Sequence, residues 1–507
     1  MSTKSSILST LRLLRSGDSA SKTGKDIEYK YFTLSLDTAQ ERCTIRLPPY
    51  PYVLYLVKQF TIYFGYDWHW VRLRKFNQQV ETTYKSPSLP GVKDRTWLCK
   101  LLVVLAMGES ASPNSTPSKN AAPEATSSPP GTEFFKQALK LLSIRYESAS
   151  IEDVEVLNMI ALYSNQLNRQ KTAYMYAGKS ARLCNMLQLH RADASTGYSP
   201  SEKEHRKRVW WSTFCLDRMT SMQRGFLPTL TATQTDLEYP SQGDISPDNA
   251  GDFTDPDYLT ARIQLTIIQA RVVSHLSLSE PADVLNVIGP MLETLSTWKK
   301  ALPHHMASQI EDGLPRPNRS LPCIRSLANL YLRYNHCAIV LLRPMLLKQV
   351  ALLYTTDEPT TPPEASTQLS DFCLDAARSS VGILINVHSN GLLARLGLME
   401  SVHLFTSLAI IRLSIWTRNY QSSVPKEGSD DIQLYDSGKE LLQYMIHCGS
   451  LAAKVHRRML QEVEDLPLRH DVPVHSQGEG VNQQDWDLDE WIARFIQSEN
   501  APIAFDI

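Results

Sequence analysis

The chain has 507 residues, 42% hydrophobic and 21% charged, ordinary globular proportions that exclude wholesale disorder. Its 52 basic and 53 acidic side chains leave a net charge of −1, too balanced for a surface that clamps nucleic acid by broad phosphate neutralisation. The length fits roughly three average domains or one large helical one, with ample apolar material for a core that needs no disulfide or metal staple.

Eight cysteines stand at 43, 99, 184, 215, 323, 337, 373 and 448, no two closer than 14 positions. That spacing offers no Cys-x-x-Cys half-site for structural zinc, and free thiols in a reducing compartment are expected. No apolar run approaches the roughly 18 residues of a membrane span; the longest, 98–107 and 404–416, carry Lys100 and Arg412. There is no secretory signal. Residues 1–17 are Ser-rich and acid-free, with Lys4, Arg12 and Arg15 among leucines, a composition that a mitochondrial presequence also shows. A solvated basic start or a linker-helix remnant is the preferred reading, and the chain is expected to be intracellular and soluble, with no membrane partner.

In chain order, residues 1–40 read as a flexible segment and 41–465 as one all-α domain. The stretch 52–66 is the only one ambiguous between helix and strand, because of its aromatic content. A helix over 98–106 is followed by a Ser/Pro/Ala-rich stretch, and 109–131 is expected to be a disordered loop. Phe134, Phe135, Ala138, Leu141, Leu142 and Ile144 form one apolar helical face. Glu152 and Asp153 suit the first turn of the next helix. Helices over 170–187 and 202–222 follow, the second announced by Ser199-Pro200-Ser201, with Ser201 and Glu204 at capping-box spacing. After a Pro/Asp/Gly loop, long helices are predicted over 257–278, 282–302, 323–350, 367–387, 399–418 and 435–462. Residues 466–507 read as a flexible tail with a short acidic-aromatic helix. No fixed short repeat appears.

Motifs for common chemistry fail on inspection. Gly178-Lys179-Ser180 resembles the end of a phosphate loop, but Ala173 stands where the first glycine belongs, inside a helical pattern. Asp485, Asp487 and Asp489 mimic a calcium loop, yet Glu490 occupies the turn glycine's place and Ile496 that of the bidentate acid. His304-His305 and His336-Cys337 are adjacent pairs that point to different helix faces, and His336 reads as a core or boundary histidine. No nucleophile elbow, zinc-protease motif or dinucleotide fingerprint is present. No catalytic residue and no metal ligand is assigned, and no enzyme is expected.

The segment 204–219 is physically unusual. Trp210, Phe214 and Asp217 lie on one helical stripe and Trp211, Cys215 and Met219 on the next. A carboxylate among such large apolar groups needs a partner, and Arg218 or Arg208 could supply a two-pronged donor. The architectural reading of this pair is preferred to a ligand-reading one. The trio Arg206-Lys207-Arg208 reads as a solvated helix start, with nuclear import or phosphate contact as the other reading.

These residues resemble the signature of the fungal-specific transcription factor domain, the regulatory middle region of fungal binuclear zinc cluster proteins. In that family a basic helix runs into two aromatics and an Asp-Arg, then a Gly-x-x-Pro turn. Here the matching residues are Arg208, Trp210, Trp211, Asp217, Arg218, Gly225 and Pro228, closed by Asp236, Tyr239 and Pro240. Preceding blocks at 173–183 and 187–191 are similar to the family's, as is a later helix ending in Arg343-Pro344, followed by 373–378. The ordered blocks span about residues 45–460.

The resemblance implies a large multi-helix regulatory domain and an RNA polymerase II regulator, an activator in the first instance. It implies a nuclear protein, with shuttling to the cytoplasm as the other reading. The family's DNA reader is a six-cysteine zinc cluster, and no closely spaced cysteine pair exists here. Zinc is therefore expected only with an additional N-terminal cluster, lost from the gene model or never present. Without it, DNA is reached through a partner. The further expectations are a coactivator or transcription machinery as partner, a homodimer or heterodimer, and a small-molecule effector. An acidic-aromatic activation tail would use Trp486, Leu488, Trp491, Ile492 and Phe495; docking of that helix back on the domain is the alternative. Two other classes stay open: a helical enzyme or ligand carrier with an interhelical pocket, and a non-DNA-binding inhibitory partner of a related regulator.

Overall fold

A computed structural model describes residues 44–87, 94–112, 128–195, 197–243, 245–278, 284–307, 321–355, 364–421 and 430–465. The predicted N-terminal segment, most of the predicted loop and the acidic-aromatic tail lie outside them. The described residues form α-helices joined by turns, with no β-strand among them, and all lie in the compact unit that begins at Cys43.

The first group is α1 (Tyr50–Phe60), α2 (Leu73–Lys85), α3 (Arg95–Ala111), α4 (Thr132–Leu141), α5 (Ile151–Gln166), α6 (Gln170–Met186) and α7 (Pro200–Met222). After the short α8 (Pro247–Ala250) come α9 (Pro256–Leu278), α10 (Val284–Lys300), α11 (His304–Ala307), α12 (Leu321–Thr355), α13 (Glu364–Ser389), α14 (Leu398–Gln421), α15 (Asp430–His447) and α16 (Leu451–Glu464). Local chemistry sets several starts. Asp94 caps α3 by accepting from Thr96 N at 2.9 Å. Ser150 and Asp153 form a capping box at α5, and Ser450 accepts from Ala453 N to start α16.

Two hydrophobic cores result. One gathers α1–α7, centred on Trp70, Trp97, Leu101–Met107, Tyr163 and the tryptophans of α7. The other gathers α10 and α12–α16. Helix α9 serves both: Leu259 and Ile263, one turn apart, pack into the first, while Tyr258, Ala261 and Leu265 pack into the second. Gly108 lets α3 approach α1 closely, since a Cβ there would sit 2.2 Å from the Leu56 carbonyl oxygen.

Several expectations are corrected. The ambiguous stretch is helical: α1 runs directly into a π-helical turn, Thr61–Gly65. Helix α2 was not anticipated, although Phe76, Val80 and Thr83 give it a buried stripe. The loop expected from 109 begins later, because α3 continues to Ala111 with Ser110 and Ala111 buried, and Glu109 accepts from Tyr52 Oη and Gly131 N. Helix α7 is capped by Ser199, whose hydroxyl accepts from Glu202 N; Ser201 instead lies buried in the first turn and Glu204 binds arginine. The span predicted as 435–462 is two helices, broken at Gly449 with φ +93°. Helix α12 passes through Arg343-Pro344, in keeping with the helix predicted over 323–350. Proline removes one intrahelical bond, but the flanking Leu341, Leu342, Leu346 and Leu347 are buried and hold both halves in the core. Finally, Leu398–Arg418 is long and apolar enough to cross a membrane by composition, and 78% of that window is buried inside the protein. Its apolar surface is spent on the second core.

Candidate functional site

Helix α7 is the axis of the first core. Trp210 and Trp211 are 1% and 3% exposed, with ring centroids 4.6 Å apart at 81°. Trp211 Nε1 donates to the Glu238 carbonyl at 3.1 Å. Asp217, fully buried, finds its partners in backbone rather than in arginine: its Oδ2 accepts from Thr229 N at 2.7 Å and Leu230 N at 2.8 Å. Burial pushes its carboxyl up, and those two amides oppose the rise. Arg218 donates to the Leu230 carbonyl at 3.0 Å. The Asp-Arg pair therefore clasps the strand of chain that follows Gly225 and Pro228. Gly225 takes φ +64°, and Phe226 N closes back on the Ser221 carbonyl, a helix ending that favours glycine. Downstream, Asp236 accepts from Ala192 N at 2.8 Å, tying the closing segment to the end of α6.

The basic trio is not a solvated face. Arg208 is fully buried; it binds Glu204 at 2.7 Å and the carbonyls of Thr254 and Ser241, and lies over the Phe253 ring. Lys207 pairs with Glu204, and Arg206 lies over Tyr198. Arg343 is buried within α12. Beside α7 runs a buried ionic chain. Lys100 Nζ lies 2.6 Å from Glu155 and 3.3 Å from Glu152. His205 Nε2 lies 3.0 Å from Glu155, and His205 Nδ1 lies 3.1 Å from His69 Nε2. A proton on each Nε2 satisfies both contacts, His69 donating to His205 Nδ1 and His205 to Glu155. Burial, then His205, pushes His69 well below the usual histidine range.

The feature best suited to bind something is a cavity of about 60 Å³ where the two cores meet. From the first core come Tyr63 and Phe64 of the π-helical turn, Asp67, Trp68, the last turn of α5 with Asn165 and Gln166, and Met219. Helix α12 contributes Arg325, Asn329 and Arg333, four apart and hence on one face; the start of α14 contributes Leu398 to Glu400 and His403. π-Turns concentrate at functional sites, and this one aims two aromatic rings at the junction.

Most charges there are already paired. Arg325 donates to Glu400 at 2.7 Å, to the Leu392 carbonyl at 2.8 Å and to the Tyr63 carbonyl. Asp67 accepts from Tyr258 Oη at 2.8 Å and Asn329 Nδ2 at 2.6 Å. Arg262 lies 3.6 Å from the Trp68 ring centroid and donates to the Asp67 carbonyl. Arg333, which lines the cavity, makes no hydrogen bond or ion pair among the described residues. Burial, then the Arg262 guanidinium, pushes it below the usual arginine value. Asn165 is 2% exposed and its Oδ1 has no partner.

None of these cavity residues was singled out in the sequence for a role there. The signal available was the recurrence of Arg325, Asn329 and Arg333 at every fourth place in the first half of α12. A second cluster was also missed: Asp255, Asp257 and His305 bring ligand atoms within 4.8 Å. Helix capping accounts for Asp255, which accepts from Asp257 N at 2.9 Å, and His305 pairs with it at 3.2 Å. The six-cysteine cluster of the family resemblance has no counterpart among the described residues. Cys99, Cys184, Cys215, Cys337 and Cys373 are separate buried thiols. Burial pushes the Cys99, Cys184 and Cys373 thiols up to about 12.

Residues 61–309 match the family described as the fungal specific transcription factor domain. Over those residues the chain is similar to that domain. The match opens at the π-helical turn and takes in the signature helix, its clasp and α9, so the matched region holds one wall of the cavity. An uncharacterized transcriptional regulatory protein of Schizosaccharomyces pombe is 22% identical over 92% of this chain and 55% of its own length. The thiamine repressible genes regulatory protein of the same yeast is 23% identical over 65% of this chain and 41% of its own. An ABC-transporter-regulating transcription factor of Aspergillus fumigatus is 22% identical over 50% and 29%. The chain thus spans about half, or less, of these relatives' lengths. No solved structure matches it.

Proposed function

We propose that the chain is a nuclear regulator of RNA polymerase II transcription, in which the helical domain controls an activating function. The observation that carries this reading is the match over 61–309 to the fungal transcription factor domain. The buried signature helix supports it, since α7 is built to hold a bundle together. The relatives named as transcriptional regulators point the same way. The partners of this reading are a coactivator or the transcription machinery, a second copy or related chain, and a small effector at the junction of the cores. DNA contact comes from a partner or from a zinc cluster outside the residues seen here, and no catalytic residue is assigned.

The test is a promoter-tethering assay. The full chain, fused to an unrelated DNA-binding module in a fungal host, should change reporter output over the module alone, and a fluorescent fusion should enter the nucleus. Output equal to that of the module in every growth condition sampled refutes the regulator reading.

A further inference from the structure

We propose that the cavity between the two cores binds a small monocarboxylic acid, with Arg333 holding the carboxylate and Asn165 reading a donor group on the acid. The ligand's regulatory meaning rests on the proposed function; its binding does not.

The argument starts from charge. Arg325 and Arg333 line the cavity with Asp67 and Glu400, and Arg262 reaches the same loop by donating to the Asp67 carbonyl. Both carboxylates are engaged, Glu400 by Arg325 and Asp67 by Tyr258 and Asn329, which leaves one positive charge in excess. It is shared by Arg262, which donates only to the Asp67 carbonyl, and Arg333, which makes no ion pair among the described residues; of the two, Arg333 is the one that lines the cavity. Guanidinium forks match carboxylates bidentately, and a half-buried guanidinium with no carboxylate partner favours a resident anion. One excess charge fits a monoanion and disfavours a diacid.

The rest of the wall sets the ligand's shape. Phe64, Trp68, Leu162, Met219 and Met399 form apolar surface, suited to a short hydrocarbon body. A volume of about 60 Å³ gives room for roughly four to six water-sized groups, so the body is short. Asn165 Oδ1, buried and unpartnered on the opposite wall, wants a donor, which a 2-hydroxyl or 2-amino group provides. The first turn of α14 also lines the site, and its amide end favours negative charge.

The experiment uses the purified full chain and the straight-chain acids from propionate to pentanoate, with their 2-hydroxy and 2-amino derivatives. Each acid is paired with its primary amide. At least one acid should raise Tm by roughly 2–4 °C at saturation, and its amide should not. Arg333→Met should abolish the rise, and Asn165→Leu should weaken the substituted acids more than the plain ones. Without ligand, Arg333→Met should melt no lower than the parent, because the guanidinium has no protein partner to lose. If it does melt lower, Arg333→Lys replaces it, with titration followed by indole fluorescence. That variant keeps the charge but loses the fork, and a weakened acid response supports the proposal while an unchanged one overturns it. No stabilisation by any acid, or equal stabilisation by the amides, also overturns it. Binding without any reporter response in the tethering assay sinks the regulator reading and leaves the cavity assignment standing.

Discussion

Lys100→Met tests whether the buried ionic chain, rather than hydrophobic packing alone, locks α3 to α5 and α7. The side chain is removed from a position where its ammonium sits 2.6 Å from Glu155 and 3.3 Å from Glu152. Burial alone would push the Glu155 carboxyl up; Lys100, then His205, instead hold it at about 2. Against its ordinary 4.5, that is roughly 3 kcal/mol of preference for the charged form. Breaking one side of a buried pair costs about 3–5 kcal/mol, so the two routes agree. For a domain of about 400 residues, a specific unfolding entropy of about 2.1 cal/mol/K per residue turns this into a Tm drop of roughly 4–6 °C. The pH dependence carries the sign. Glu155 has a depressed folded value, so its stabilisation is present above pH 4.5 and is lost as pH falls toward 2. In Lys100→Met that loss should begin at higher pH. Adding Glu155→Gln should recover part of the stability, because no bare carboxylate remains. Differential scanning calorimetry across pH 3–8 (a range of roughly five units) reads all three effects. A Tm within about 1 °C of the parent and an unmoved acid limb refute the reasoning.

Trp210→Ala should destabilise by about 3–5 kcal/mol, given a ring 1% exposed in the first core; unchanged thermal unfolding refutes the packing. Asp217→Ala should cost about 2–3 kcal/mol, since two buried amides lose their acceptor, and proteolysis should then cut first near 225–230. His69 is held neutral, so between pH 6.5 and its lowered folded value the unfolded chain binds the extra proton. Stability should therefore fall as pH drops below about 6.5, and His69→Asn should flatten that part of the curve. Deleting 484–507 from the tethered chain should reduce reporter output, and equal output discards the activation tail.

How much of this was legible in the sequence depends on the range of the interaction. Helices α6 and α7 were readable within two residues at each end, because caps and apolar periodicity are local. The amphipathic α2 was overlooked: its charged face is long, and Phe76 and Val80 alone mark the buried side. The partner of Asp217 was not legible either. Arginines stood adjacent in sequence, yet the acceptor was filled by amides twelve and thirteen residues on, a choice set by the turn at Gly225. The basic trio misled for a related reason. Three charges at a helix start read as solvated, but Glu204 one turn earlier and the carbonyls of Ser241 and Thr254 bury Arg208 completely. The cavity was least legible, because its walls join residues such as Asp67 and Asn329, 262 positions apart.

That separation is also why the junction is a plausible point of control. Asp67 binds α9 through Tyr258 and α12 through Asn329, while its own carbonyl receives Arg262. One short loop therefore reports on helices from both cores. An anion on Arg333 would contact the second core from α12 and, through Asn165 and Trp68, the first. Such a ligand binds best when the two cores keep this spacing, and by linkage it must stabilise that spacing by the same free energy. A partner that bound only a wider spacing would oppose the ligand, and one that bound the present spacing would assist it. The sign of regulation is thus set by which spacing the partner prefers, with no change needed in the chemistry of the cavity.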